Sequence, residues 1–191
     1  MPSMKILLIA GGWSSEREVS LTGARGMQEA LLKRGHAVTF FDLLENFDEL
    51  LETARQHDFA LINLHGSPGE DGLVQAMLEK AGCPYQGSGP SGSFLALNKA
   101  AAKQIFRMAG LPTADWEFLP VRPAEGWEPR LPWPLFVKTT TGGSSLRLGR
   151  ATNRQELDAL MDEIFAAGEG VLIEPQLPGK ETVKEAEIPM P

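Results

Sequence analysis

A lysine and a glycine–serine loop lie four residues apart in the second half of the chain. Lys138 ends the apolar run 134–138, and Gly142-Gly143-Ser144-Ser145 follows. Glycines let backbone N–H groups approach phosphate oxygens, serine hydroxyls add donors, and the lysine adds a positive charge. The pattern indicates a phosphate clamp, and the alternative is an ordinary Gly-Ser turn beside a surface lysine.

Three other side chains could serve the same ligand. Lys99 would form a two-lysine phosphate site with Lys138 at a domain junction, unless it is a solvated lysine of a helix. Glu174 ends a predicted strand, and Glu181 lies seven residues further on. A carboxylate just past a strand can accept a hydrogen bond from a ribose hydroxyl, although an exposed acid at a strand end is the simpler interpretation.

Two polar loops follow predicted strands in the first half. Residues 11–18 include Glu16, and residues 64–72 include His65. Ligands bind beyond the carboxyl ends of strands in open parallel sheets. His65 is thus a candidate general base or electrostatic partner, or a structural histidine. By itself Glu16 is explained as an acid at a helix N-terminus, where the helix dipole favours it.

Strands and helices that alternate along the chain must position these loops. The apolar run 5–10 is typical of a central parallel strand covered on both faces. A helix from about Arg17 to Arg34 follows, with Ser15 at a capping position. Further strands are predicted at 37–41 and 59–64, and further helices at 47–55 and 73–81. This order predicts a parallel open sheet with right-handed crossovers.

The pattern changes near residue 98. Residues 88–93 are predicted to form a loop, and residues 98–109 a helix. An α+β pattern follows, with strands at 134–138, 146–150 and 171–174 and a helix at 154–166. We therefore expect two domains, 1–97 and 98–181, and an irregular segment at 182–191.

Composition limits the function classes. Of 191 residues, 42% are hydrophobic and 23% are charged, as in soluble globular proteins. The net charge of −7 argues against a nonspecific nucleic-acid binder. The single cysteine, Cys83, fits a reducing compartment. No apolar stretch is long enough to span a bilayer or to form the core of a signal peptide. We expect a cytoplasmic protein that binds neither nucleic acid nor membrane.

Seven motifs, in order over residues 4–181, together resemble the D-alanine–D-alanine ligase family of the ATP-grasp superfamily. They are Gly11-Gly12-x-Ser14-x-Glu16-Arg17-Glu18-Val19-Ser20-Leu21, Leu64-His65-Gly66-x-x-Gly69-Glu70-Asp71-Gly72, Tyr85-x-Gly87-Ser88-Gly89, Lys99 with Gly110-Leu111-Pro112, Val137-Lys138, Gly143-Ser144-Ser145, and Leu172-Ile173-Glu174 with Gly179-x-Glu181. The resemblance implies an α/β fold: an N-terminal parallel open sheet of the pre-ATP-grasp type and a small α+β central ATP-grasp domain.

The implied reaction joins two D-alanines for peptidoglycan precursor synthesis. ATP phosphorylates the carboxylate of the first D-alanine, and the amine of the second attacks the acylphosphate. A carboxylate is a poor electrophile until its oxygen becomes a good leaving group. Positioning and charge neutralisation by lysines and Mg²⁺ then supply most of the catalysis. The resemblance also implies a homodimer for the full-length family.

The resemblance assigns roles by position. Glu16 would hold the ammonium of the first D-alanine, Ser144 would help to orient Glu16, and His65 would lie near the substrate carboxylate. The implied nucleotide-binding residues are Lys99, Lys138, Gly143, Ser144, Ser145, Glu174, Leu177 and Glu181. Among these, the lysines would contact phosphates, Glu174 and the Leu177 backbone would contact adenine, and Glu181 would contact ribose.

The family's third domain is not matched by any motif. It should supply the Mg²⁺ ligands, a catalytic arginine and the site for the second substrate, so we expect this chain alone to be inactive. Two alternatives stay open: a related ligase such as one that joins D-alanine to D-lactate, and a non-catalytic nucleotide-binding remnant.

Overall fold

The computed structural model describes residues 2–142 and 147–179. The chain divides into two compact units, whose described parts are residues 2–111 with 140–142, and residues 112–139 with 147–179. The helix that begins at Lys99 belongs to the first unit, where it packs against the preceding helix. The units thus divide later than the domain boundary expected at residue 97, which stays a prediction.

The first unit is built around a parallel sheet. Its strands lie in the order β2-β1-β3, and Leu8 of the central strand lies opposite Phe40 and Leu61. The elements are β1 (Lys5–Ala10), α1 (Arg17–Lys33), β2 (Ala37–Asp42), α2 (Leu43–Asn46), a 3-10 helix (Phe47–Glu49), α3 (Leu50–Ala54), β3 (Phe59–Ile62), α4 (Leu73–Ala81), α5 (Pro90–Leu97) and α6 (Lys99–Met108). The predicted parallel open sheet is confirmed.

Strand β1 is buried on both faces. Leu7 and Ile9 belong to one core cluster, with residues of α2, α3 and α4. Leu8 and Ala10 belong to the other, with Ala24 of α1. Alternate residues fall into different clusters because successive side chains of a strand point to opposite faces of the sheet. This burial accounts for the uninterrupted apolar run in the sequence.

Three local predictions differ from the structure. Residues 90–93 of the loop expected at 88–93 lie in α5, since Pro90 occupies a first-turn position, where its fixed φ suits a helix. The helix expected at 47–55 begins as the 3-10 turn Phe47–Glu49 and continues as α3 to Ala54. Ser15 does not cap α1, because the cap position is Glu16, whose side chain makes no capping hydrogen bond.

The second unit contains an antiparallel sheet covered by a helix. The strands lie in the order β4-β7-β5-β6. The elements are β4 (Glu117–Leu119), β5 (Leu135–Thr139), β6 (Leu148–Ala151), α7 (Arg154–Ala166) and β7 (Val171–Pro175). Leu135 and Val137 share a buried cluster with Leu157 and Met161 of α7. The predicted α+β pattern is confirmed.

Candidate functional site

Glu16 lies where the loop after β1 becomes α1. Its backbone N–H donates to Ser14 Oγ at 3.2 Å, and its carbonyl accepts from Ser20 N at 3.1 Å. Gly11 and Gly12 turn the chain here with φ of 78° and 76°, values that favour glycine. The side chain of Glu16 is therefore presented from a helix N-terminus at the carboxyl edge of the sheet.

His65 lies three residues beyond β3, at the same edge of the sheet. The next residue, Gly66, accepts hydrogen bonds from the N–H groups of Gly69 and Glu70 at 2.9 and 2.8 Å, which closes a tight turn. A methyl group at Gly66 would lie 3.9 Å from Oε2 of Glu16. The structure thus brings the Glu16 carboxylate close to Gly66, the residue that follows His65.

The turn after His65 is held by two neighbours. Gln75 of α4 donates from Nε2 to the Gly69 carbonyl at 2.6 Å. A Cβ at Gly69 would overlap the side chain of Leu64, so only glycine fits there without rearrangement. The backbone of the glycine-rich segment is therefore fixed against α4 and the buried Leu64.

Ser20 and Asn63 connect the two loops inside the protein. Ser20 Oγ accepts from Gly11 N at 2.8 Å and donates to the Asn63 carbonyl. Asn63 Nδ2 donates back to the Ser20 carbonyl at 2.7 Å. Both residues are buried. This Ser20–Asn63 clamp fastens the start of α1 to the end of β3.

A second connection joins α1 to β2. Arg17 donates to both carboxylate oxygens of Asp42, at 2.7 and 2.6 Å, and to the Gly12 carbonyl at 3.3 Å. The hydrogen bonds from Arg17 lower the pKa of Asp42, and the pair raises the pKa of Arg17. Asp42 also accepts from Leu44 N at 3.1 Å and so caps α2. The ion pair therefore fastens the first residue of α1 to the end of β2.

Lys99 is the first residue of α6. Asn98 caps this helix by accepting from Ala101 N at 3.0 Å. The Lys99 N–H donates to the Thr140 carbonyl at 2.9 Å, and its ammonium donates to the Gly142 carbonyl. Lys99 is thus bonded to the backbone that leads into the predicted phosphate loop, a contact that helix periodicity does not predict.

Lys138 and Glu174 form an ion pair in the second unit. Lys138 lies opposite Leu172 in the register of β5 and β7, so its ammonium reaches diagonally to Glu174 on the same face. The opposite face of β5 is buried against α7. The predicted phosphate lysine and the predicted adenine-side acid therefore lie together on the face of the sheet opposite α7.

The remaining predicted residues fall into two groups. Leu177 lies two residues beyond β7 with an exposed side chain, and Gln176 N donates to the Pro134 carbonyl at 2.9 Å just before it. Gly143, Ser144, Ser145 and Glu181 lie outside the described residues. Lys99 and Lys138 lie in different compact units, so the two-lysine site stays a prediction.

The supporting residues Arg17, Ser20, Asp42 and Asn63 were not predicted as part of the site. Arg17 and Ser20 belong to the first motif, whereas Asp42 ends β2 and Asn63 follows β3, outside every motif. Their roles depend on which strands are neighbours, and a single sequence does not show this. In the described part of the chain there is no group of three or more metal-ligating side chains and no helix able to cross a membrane.

Comparison with known proteins points to one family. Residues 104–186 match the family model described as D-ala D-ala ligase C-terminus. The chain is 75% identical over 178 residues to the D-alanine–D-alanine ligase of Desulfovibrio desulfuricans, covering 93% of this chain and 58% of that protein. It is 62% identical over 178 residues to the ligase of Nitratidesulfovibrio vulgaris Hildenborough, covering 93% of this chain and 59% of that protein. The chain thus spans less than two thirds of the curated relatives that it matches.

Solved structures agree with the sequence relatives. The D-alanine–D-alanine ligase of Bacillus anthracis superimposes with a TM-score of 0.82 at 36% identity, covering 93% of this chain and 59% of that chain. The same enzyme complexed with ATP superimposes with a TM-score of 0.82 at 35% identity, covering 93% of this chain and 60% of that one. In sequence and in fold, 93% of the chain is thus similar to D-alanine–D-alanine ligases.

Proposed function

We propose that the chain supplies the first-substrate site and part of the ATP site of a ligase that joins two D-alanines through an acylphosphate. The observation that carries the proposal is the Glu16 carboxylate beside the His65–Gly66 segment, at the carboxyl edge of the parallel sheet. An anionic group and an imidazole at this edge suit the two ends of an amino-acid zwitterion.

The first D-alanine binds with its ammonium at Glu16 and its carboxylate near His65. Opposite charges at fixed positions bind the zwitterion in one orientation, so that the carboxylate points away from Glu16. Ser144 orients Glu16. Holding the carboxylate in place prepares it for phosphorylation, since positioning converts a bimolecular encounter into a reaction within one complex.

We assign ATP binding to the residues that the resemblance implies. Lys99 and Lys138, with Gly143, Ser144 and Ser145, neutralise the phosphates; Glu174 and the Leu177 backbone contact adenine, and Glu181 contacts ribose. Paired lysines with glycine N–H and serine O–H donors fit triphosphate chemistry. The relative solved as a complex with ATP supports nucleotide use in this fold.

Mg²⁺ would neutralise phosphate charge during transfer, but no cluster of metal ligands occurs among the residues of 2–142 and 147–179. As the resemblance implies, we assign the Mg²⁺ ligands to a C-terminal ATP-grasp domain, in the portion of the relatives that this chain does not match. In this proposal residues 1–97 form the pre-ATP-grasp domain and residues 98–181 the central ATP-grasp domain. The chain alone then does not complete the reaction.

The product of the whole enzyme would be a D-dipeptide for peptidoglycan precursors, and hence for cell-wall biogenesis and cell shape. Its ligands would be D-alanine and ATP, in the cytoplasm. We expect a homodimer for the longer protein.

Calorimetry on the chain tests the substrate assignments. D-alanine should bind to the wild type and not to Glu16→Ala, whereas Glu18→Ala, which removes the neighbouring helix-start acid, should bind normally. ATP–Mg²⁺ should bind, and Lys138→Ala should weaken its binding. Unchanged binding in Glu16→Ala or in Lys138→Ala would contradict the corresponding assignment.

For the longer protein, the test is phosphate release. Release that requires D-alanine supports the ligase. Release that occurs without any amino acid contradicts it, and release that requires D-lactate as well as D-alanine indicates a different second substrate.

A further inference from the structure

The Ser20–Asn63 clamp connects the two chain segments that carry Glu16 and His65, the residues assigned to the first D-alanine. Ser20 follows Glu16 by one helical turn, with a backbone hydrogen bond of 3.1 Å between them, and Asn63 precedes His65 by two residues. We propose that Ser20 and Asn63 are positioning residues that set the spacing between Glu16 and His65. Through that spacing the clamp selects an α-amino acid. This inference rests on the proposed function.

The clamp extends the connection between β1 and β3 past the end of the sheet. The register of the two strands ends at Ile9 and Ile62, and Asn63 N donates to the Ile9 carbonyl at 2.8 Å. Beyond that bond the chains separate into the two loops. Ser20 Oγ bonds to both of them, at Gly11 N and at the Asn63 carbonyl.

Burial makes the clamp stiff. Ser20 is fully buried and Asn63 is 9% exposed, so water does not readily replace a lost partner. The two cross-links run in opposite directions, from Ser20 Oγ to Asn63 and from Asn63 Nδ2 to Ser20. Loss of one leaves the other in place, and loss of both frees the start of α1 from the end of β3.

An amino acid with a larger separation between its ammonium and its carboxylate tests whether the Glu16–His65 spacing is fixed. In β-alanine the ammonium and carboxylate are separated by one more methylene group than in D-alanine. A fixed Glu16–His65 spacing favours D-alanine, and a loosened spacing reduces that preference. A mutation that only lowers the folded fraction weakens both ligands equally, so the ratio of the two dissociation constants separates positioning from stability.

The experiment is calorimetric titration of the chain with D-alanine and with β-alanine. The variants are Ser20→Ala, Asn63→Ala and the double mutant. Each single change should weaken D-alanine binding roughly three- to tenfold, as expected for one buried hydrogen bond. Each should also reduce the ratio of the β-alanine dissociation constant to the D-alanine dissociation constant. The double mutant should lose more D-alanine binding free energy than the two single mutants together, because each cross-link substitutes in part for the other.

Two further variants serve as controls. Ser3→Ala removes an exposed serine hydroxyl that donates to the Gly35 carbonyl at 2.7 Å in the same unit. This variant should bind D-alanine and β-alanine with wild-type affinity. Ser20→Thr keeps the hydroxyl and should retain the preference for D-alanine. An unchanged preference in Ser20→Ala and in the double mutant would overturn the proposal.

Amide NMR spectra separate failure of the clamp from failure of the proposed function. Absence of any D-alanine response in the wild type contradicts the proposed substrate site. The clamp is judged independently by Ser20→Ala without ligand, which should shift the amide signals of residues 64–66 as well as those of residues 11–16. Amide shifts confined to α1 would overturn the proposal that the clamp positions the His65 segment.

Discussion

Lys138 and Glu174 form an ion pair that runs diagonally across two antiparallel strands on the face opposite α7. The side chains are 27% and 12% exposed. The lysine proposed to bind phosphate is thus already partly neutralised before a nucleotide arrives. A bound phosphate would have to share Lys138 with Glu174, which leads to the first two predictions.

Lys138→Met should weaken ATP binding by roughly ten- to hundredfold, since a hydrogen bond to a charged group contributes about 1.5–3 kcal/mol. Isothermal titration calorimetry with ATP–Mg²⁺ measures the change. Lys5→Met is the matched control, because Lys5 is also a strand lysine but lies exposed at the start of β1. Equal affinities for wild type and Lys138→Met would exclude Lys138 from the phosphate site.

Glu174→Gln should strengthen binding of inorganic tripolyphosphate, because removal of this mostly buried ion pair releases its competing attraction for Lys138. A release of ~1 kcal/mol, the upper value for an exposed pair, corresponds to about fivefold tighter binding. Binding of ATP relative to tripolyphosphate should fall, since Glu174 is assigned to adenine. Both ligands are titrated on the same protein. Weaker tripolyphosphate binding in Glu174→Gln would show that the carboxylate does not compete for the lysine.

Asp42→Asn should destabilise the first unit at pH 7 by about 1–2 kcal/mol, because it breaks a bidentate hydrogen-bonded pair that is mostly buried. The asparagine keeps the capping acceptor for α2. Urea unfolding of wild type and variant measures the difference. Glu52→Gln, which breaks the exposed pair with Arg55, is the control and should cost less than about 0.5 kcal/mol.

The contribution of Asp42 to the free energy of unfolding should decrease as the pH falls. Arg17 lowers the pKa of Asp42 in the folded protein, so the unfolded chain binds the proton more tightly. The stabilisation is therefore complete above the unfolded pKa of about 4 and is lost as pH falls through the lower folded value. The difference between wild type and Asp42→Asn should shrink from pH 7 towards pH 3, and a constant difference would contradict the assignment.

Two glycine-to-alanine substitutions should have opposite effects on stability. At Gly11 φ is 78°, and a Cβ would overlap the guanidinium of Arg17 and the carboxylate of Asp42, so Gly11→Ala should destabilise by more than ~1 kcal/mol. Gly26 lies inside α1 with no atom within 4 Å of an added Cβ, so Gly26→Ala should stabilise by about 0.5–1 kcal/mol. Thermal unfolding of both variants checks the signs, and destabilisation by Gly26→Ala would contradict the open environment of that position.

The elements with strong local signals could be predicted from the sequence. The apolar run 5–10 is a doubly buried strand, and the helix predicted at 73–81 has those bounds in the structure. Segments that depend on capping and on neighbours could not be predicted. Pro90 begins a helix within a run of small residues that predicts a loop, and the helix that the sequence predicts at 47–55 starts with a 3-10 turn at 47–49.

The sequence by itself determined the alternation of strands and helices, the two sheet types and the residue types at the loop positions. Only the tertiary structure decided that Glu16 borders Gly66, that Ser20 bonds to Asn63, and that Lys138 pairs with Glu174. Periodicity reports which face of an element is buried, because burial depends on the polarity of each side chain. Contacts between loops depend on strand order and register, which arise only when distant segments of the chain pack together.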